Sequence, residues 1–354
     1  MKLVPWLRTA FLSLCTLGCS AKPDPRQARK ERSPQWKDGQ FVNPEPIQNH
    51  YGKMLSGWWN SSPTKSPPQP LPTVKVDPKL FLTPPASGLR LTWLGHSTAI
   101  LEIDGHRFLL DPVWSDRSSP VQWAGPKRWY APLFAVKNLP EIDAVLISHD
   151  HFDHLDRTLI DSLKDRNPCF VVPLGTGETL EEWGVPAERI VELDWWETTR
   201  IGDLEITSTP ARHASGRSLI QNRSLWMGFA IKGPVHKVYY SGDTGPMKRA
   251  AEIGTRLGPF NLTVLECGQY DPAWPDWHMT PEQTLALHKA VRGQALVPVH
   301  WGLFALANHS WDDPVNRLVA ANADSKERIL VPRPGQSIEP DSLTNLAPWW
   351  HSKI

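Results

Sequence analysis

The chain has 354 residues, with 38 basic against 37 acidic side chains and a formal net charge of +1. So even a balance argues against a dedicated nucleic-acid surface, and with 4 cysteines a disulfide framework is not indicated. Its 18 tryptophans are unusual, and tryptophan suits both cores and the water–lipid boundary.

At the start, Lys2 and Arg8 precede an apolar run from Thr9 to Ser20 that is too short to span a bilayer, the pattern of an export signal. Leu17-Gly18-Cys19 resembles a bacterial lipoprotein cleavage site. Residues 1–18 are therefore expected to be a signal peptide and Cys19 the lipidated first residue, with a plain secreted precursor as the alternative. Export to the bacterial cell envelope follows, with the protein held at a membrane surface, either the outer membrane or its periplasmic face. Residues 19–88 are dense in proline and form a tether and wrapping arm. Within them the stretch from Trp36 to Trp59 carries Phe41, Tyr51, Trp58 and Trp59, which would wrap the following domain or dip into a bilayer interface.

Residues 89–354 are long enough for one large domain. Short apolar strands alternate with helical patterns, beginning with a hairpin in which Asp104-Gly105 turns Leu89–Ile103 back into Arg107–Asp111. This suits an α/β fold of two packed sheets with helices on both outer faces. Ile142 to Ile147 reads as a buried strand, and at its end stands Ser148-His149-Asp150-His151-Phe152-Asp153-His154. Imidazole and carboxylate suit zinc and its first-row neighbours, and a capping or solvated loop rarely needs so many of them together. Asp153 and His154 come just before a helical pattern over Leu155–Leu163, and the bend there would send them to a second metal.

Three later strand ends supply the remaining candidates. His213 follows Thr207-Ser208-Thr209, Asp243 lies in Ser241-Gly242-Asp243-Thr244, and His300 ends Leu296-Val297-Pro298-Val299. Each alone would read as a cap or a satisfied polar group. Cys169 and Cys267 lie in apolar runs and read as buried thiols.

The order HxHxDH, a distant His, Ser-Gly-Asp-Thr and a further His resembles the metallo-β-lactamase superfamily. Leu94-Gly95-His96-Ser97-Thr98, Asp111-Pro112, Gly125-Pro126-Lys127-Arg128-Trp129, Glu192 to Glu197, His300 to Asn308 and Phe41-Val42-Asn43-Pro44 are similar to the branch of N-acylphosphatidylethanolamine-hydrolysing phospholipase D. The resemblance implies a four-layer αββα sandwich. It implies one zinc on His149, His151 and His213, a second on Asp153, His154 and His300, and Asp243 bridging them, with iron or manganese also compatible. Asp111 would orient the ligand loop from behind. His278 would be a catalytic contact that binds no metal, or a structural residue near a helix start. His96 is left open between core and ligand support. The implied reaction is phosphodiester hydrolysis in which the two ions lower the pKa of a shared water towards about 7. Its substrate would be an N-acylphosphatidylethanolamine-type phospholipid, with another phosphodiester or a lactone as the alternative and a non-catalytic envelope lipoprotein as the remaining class. The segments Ala211–Trp226 and Leu265–Asp271 depart from that branch and would shape the substrate pocket. Trp114, Trp123, Trp129, Trp274 and Trp277 fall in loop-like segments near the site, as an acyl-chain wall or as core.

Overall fold

The computed structural model describes residues 25–50, 52–53, 62–342 and 346–351. The expected signal peptide, Cys19, Tyr51, Trp58 and Trp59 lie outside the described residues. Among those described, no helix is long and apolar enough to cross a membrane.

A helix α1 (Pro25–Arg32) and a two-stranded ribbon of β1 (Trp36–Lys37) and β2 (Gln40–Phe41) come first among the described residues. The first large sheet holds β3 (Leu89–Gly95), β4 (Thr98–Ile103), β5 (His106–Leu110), β6 (Ala144–Leu146), β7 (Cys169–Pro173) and β8 (Ile190–Leu193). β15 (Ser337–Ile338) pairs outside β3 and completes its seven strands. The second sheet runs in the order β14 (Leu296–Val299), β13 (Leu262–Glu266), β12 (Lys237–Tyr240), β11 (Gly228–Lys232), β10 (Leu204–Thr209), β9 (Thr198–Ile201).

Alternation along the strands explains why the sheets stack. Leu89, Leu91 and Trp93 of β3 and Leu101 and Ile103 of β4 share one buried cluster with Ile206, Phe229, Ile231, Tyr240 and Val264 of the other sheet. A side-chain period of two puts the intervening residues on the opposite face. There Ile100, Leu109, Val145 and Phe170 meet Leu159, Ile160 and Leu163 of α2 (Arg157–Leu163) and Leu180 of α3 (Thr176–Glu182). Tyr239, Leu265 and Leu296 on the outside of the second sheet likewise meet Ile253 of α4 (Ala250–Arg256), Leu285 of α5 (Pro281–Ala290) and Leu318 of α6 (Asp313–Ala321). The result is helices, sheet, sheet, helices, as the sequence implies.

Two local expectations change. Leu89–Ile103 is two strands, because Gly95-His96-Ser97 turns the chain: His96 takes a left-handed φ of 52° and β3 pairs back on β4. The helix begins at Arg157 rather than Leu155, because Asp156 caps it by accepting from Thr158 N at 2.9 Å. Among the described residues seven tryptophans are buried in the core, and three of them, Trp93, Trp301 and Trp349, stack in series at centroid distances of 5.5 and 5.6 Å. Of the five loop tryptophans, Trp114 packs on Phe134, Trp129 on Trp311, Trp274 and Trp277 are half-buried, and Trp123 is 82% exposed. Both Cys169, half-buried, and Cys267, buried, are free.

Candidate metal centre

Strand direction gathers the site. β3, β5 and β6 point the same way in the first sheet, and β10, β12, β13 and β14 do so in the second. Their carboxyl ends therefore deliver His96, Asp111, His149, His213, Asp243, Glu266 and His300 to one rim. Three of these are non-glycine residues with positive φ: His96 at 52°, Asp111 at 33° and His300 at 65°. Backbone held this way costs about 1–3 kcal/mol per residue and collects where structure serves function.

Every side chain expected to hold metal lies in this cluster. Ring nitrogens of His149, His151 and His213 converge, with His151 Nδ1 at 2.8 Å from His149 Nε2 and 3.3 Å from His213 Nε2. Asp153, His154 and His300 form a second group that also contains His96, all with one ligand atom within 4.8 Å of the others. Asp243 touches both: Oδ2 is 3.8 Å from His149 Nε2, 3.7 Å from His213 Nε2 and 3.1 Å from His154 Nε2, and Oδ1 is 3.0 Å from His300 Nδ1. Gly242 makes this possible, since with φ at 55° its backbone packs directly on Ser148.

The supporting shell is equally specific. Asp111 accepts from Ser148 N at 2.7 Å, meets His154 Nδ1 at 2.7 Å, and takes the Tyr240 hydroxyl. A carboxylate on Nδ1 turns Nε2 of His154 towards the cluster. His96 Nε2 bonds Asp153 Oδ2 at 2.8 Å, so this histidine supports a candidate ligand from a fully buried position.

Burial holds His149, His213 and His300 well below the usual imidazole range, and neighbouring imidazoles push them further down. These rings are neutral, with a lone pair to offer. His154 is the exception: burial pushes it down, but Asp243, Asp153 and Asp111 outweigh that and hold it well above its ordinary value. Burial pushes Asp153 up, but His154 and His96 pull it well below the carboxylate range. Burial raises Asp243 to about 7 against the pull of His154 and His278.

His154 Nε2, Asp243 Oδ1 and His300 Nε2 are buried without a hydrogen-bond partner. Leaving such atoms unmet costs about 1–3 kcal/mol each. Imidazole and carboxylate groups gathered this closely, with no thiolate among them, fit divalent first-row cations.

His278 sits at the edge of the cluster, its ring 5.1 Å from that of His213 and 4.9 Å from that of His300. Its Nδ1 is 2.9 Å from Glu266 Oε2, and Glu266 Oε1 also accepts from Met279 N at 2.6 Å. Burial holds the Glu266 carboxyl well above its usual range. Sequence reasoning does not single out Glu266; its only signal is an acid closing the apolar run Leu262 to Leu265. Beside His278 a cavity of about 660 Å³ opens, lined also by Tyr270, Asn308, His309 and Arg317.

Residues 106–301 match the beta-lactamase superfamily domain. The chain belongs to the metallo-β-lactamase superfamily. An uncharacterized protein of Mycobacterium tuberculosis is 44% identical over 333 residues, covering 92% of this chain and 89% of its own. N-acyl-phosphatidylethanolamine-hydrolyzing phospholipase D 1 of Caenorhabditis elegans is 34% identical over 262 residues, 69% of this chain and 74% of its own. A solved metallo hydrolase from the archaeon Ignicoccus hospitalis shares the fold, with a TM-score of 0.55 and 22% identity over 71% of this chain and 97% of that one. The protein is a metal-dependent hydrolase of this superfamily, with distant relatives among the phospholipases D named for N-acylphosphatidylethanolamine.

Proposed function

We propose that this hydrolase binds two zinc ions and cleaves a phosphodiester, with an N-acylphosphatidylethanolamine-type phospholipid as substrate. The observation that supports this most is Asp243, whose carboxylate lies within 4 Å of nitrogens from both histidine groups. His149, His151 and His213 would hold one ion, and Asp153, His154 and His300 the other, with Asp243 between them. Bound ions would polarise the phosphoryl oxygens and lower the pKa of water from 15.7 to about 7.

The chain's own groups supply the rest. Glu266 fixes His278 by its Nδ1, which leaves Nε2 for a non-bridging oxygen or for protonating the departing alkoxide. Water's oxygen joins phosphorus, the bond to the ethanolamine oxygen breaks, and phosphatidic acid and an N-acylethanolamine separate. The cavity beside His278 would take the organic part of the substrate. Action at a membrane surface, from an exported and lipid-anchored protein, belongs to the same proposal. Trp123, Leu219 and Ile220 are exposed at 82, 103 and 60% and suit a lipid boundary.

The test is a panel of N-acylated and ordinary phospholipids, cyclic phosphodiesters and lactones, with zinc-loaded protein and an Asp243→Asn variant. Phosphatidic acid released from the N-acylated lipid by the wild type alone is the expected result. Turnover confined to lactones or cyclic phosphodiesters would replace the lipid assignment.

A further inference from the structure

The stretch from Phe41 to His50 lies across the loops that carry the site. Phe41 N donates to Asn222 O at 2.8 Å, Glu45 Oε1 accepts from Lys248 N at 3.1 Å, Gln48 N donates to Asp276 Oδ2 at 2.8 Å, and His50 N to Ala273 O at 2.8 Å. One extended run thus ties together the loop carrying His213, the loop after Asp243 and the loop leading to His278.

Its most telling contact is at Asn43. The carboxamide Nδ2 donates to His213 O at 2.6 Å, and Oδ1 accepts from His213 N at 3.2 Å. Residues 210–227 contain no strand or helix, so these two main-chain groups have no ladder to satisfy them. Asn43 fills that role for a residue that is 1% exposed. The ring is fixed separately, with Nδ1 at 3.0 Å from Trp277 O, so Nε2 is the atom turned towards His151. A side chain that bonds both sides of one residue's backbone sets where that residue's imidazole stands.

We propose that Asn43 is a positioning residue, whose clamp on the His213 main chain sets the affinity and geometry of the cation site formed by His149, His151 and His213. The inference rests on the reading of His213 as a ligand. Partners that hydrogen-bond a ligand's side chain change metal affinity by about 10–100-fold when replaced, and the clamp on the His213 main chain is expected to act on that scale.

Metal-free full-length protein is titrated with Co²⁺, following the visible spectrum and competition with a chelator, for the wild type, Asn43→Ala, Asn43→Asp and Arg223→Ala. Arg223 Nη1 also holds the segment, through Gly39 O at 2.8 Å, but does not touch His213. The expected result is about 10–100-fold weaker binding at one of two sites in Asn43→Ala, an altered visible band, and wild-type behaviour in Arg223→Ala. Asn43→Asp keeps the acceptor for His213 N and loses the donor to His213 O; it is expected to fall between the two, and it carries the test if the alanine variant does not fold. Wild-type affinity and spectrum in the Asn43 variants, or an equal loss in Arg223→Ala, would overturn the proposal. Wild-type protein that takes up no cobalt would remove the metal reading itself and this inference with it.

Discussion

Replacing Gly242 by alanine tests whether strand-end geometry sets the metal centre. A Cβ at this position would stand 2.5 Å from Ser148 Cβ and 2.8 Å from Met227 O, where ordinary contacts are about 3.5–4.0 Å. Neither neighbour can step aside easily: Ser148 N is bonded to Asp111 at 2.7 Å, and Ser148 O accepts from Met227 N at 2.9 Å. The φ of 55° adds a left-handed penalty of about 1–2 kcal/mol for any residue with a Cβ. With overpacking of about 1–3 kcal/mol, the expected loss is about 2–5 kcal/mol of stability. The clash also separates Asp243 from His149 by on the order of 1 Å, a misplacement that can cost about 10²-fold in rate. Urea unfolding of metal-free protein would measure the first effect, and chelator competition with single-turnover hydrolysis the second. A variant within about 0.5 kcal/mol of wild type, with unchanged metal affinity, would refute the argument.

Asp111→Asn should weaken metal binding by about 10–100-fold, because an amide N–H would face the donors of His154, Ser148 or Tyr240; equal zinc affinity in a competition assay would count against it. Glu266→Gln should lower kcat more than it raises KM and shift the pH profile, since it changes the partner of His278 and none of the seven side chains proposed to hold zinc; a pure loss of folded protein would mark Glu266 as structural. Asp104 accepts from Val235 N and His236 N at 2.9 Å each, joining the two sheets, and although burial pushes its carboxyl up, the hydrogen bonds led by His236 hold it below its usual value. A depressed carboxyl stabilises above the unfolded value of about 3.9 and loses that contribution as pH falls through the folded value. Asp104→Asn should therefore cost on the order of 1.5 kcal/mol at pH 7 and nothing below both pKa values; a penalty that is the same at pH 7 and pH 2 would contradict the assignment.

The layered fold was legible because strand alternation and strand-end punctuation are local properties. His149 to His154 announce themselves by density, and His213, Asp243 and His300 by repeating one situation, a ligand-type residue just past an apolar run. Asp111 and His278 came through the family resemblance, and the structure places both against cluster residues, Asp111 on His154 and His278 beside His213. Glu266 and Asn43 were not legible in their roles. Glu266 is the last residue of a wholly buried strand, and what it holds, His278, lies 12 residues further on. Asn43 lies 170 residues from His213, and only tertiary folding brings the two together. The turn at Gly95-His96-Ser97 was hidden for the opposite reason: apolar residues continue on both sides of it, so pattern alone joins β3 to β4.

The most direct test of the central claim is elemental analysis combined with zinc titration of metal-free protein, for the wild type and for Asp243→Asn. Two equivalents of tightly held zinc in the wild type, with at least one lost in the variant, are the predicted outcome. A folded wild-type protein that retains no transition metal and takes none up, or a variant with the same stoichiometry and affinity, would contradict it.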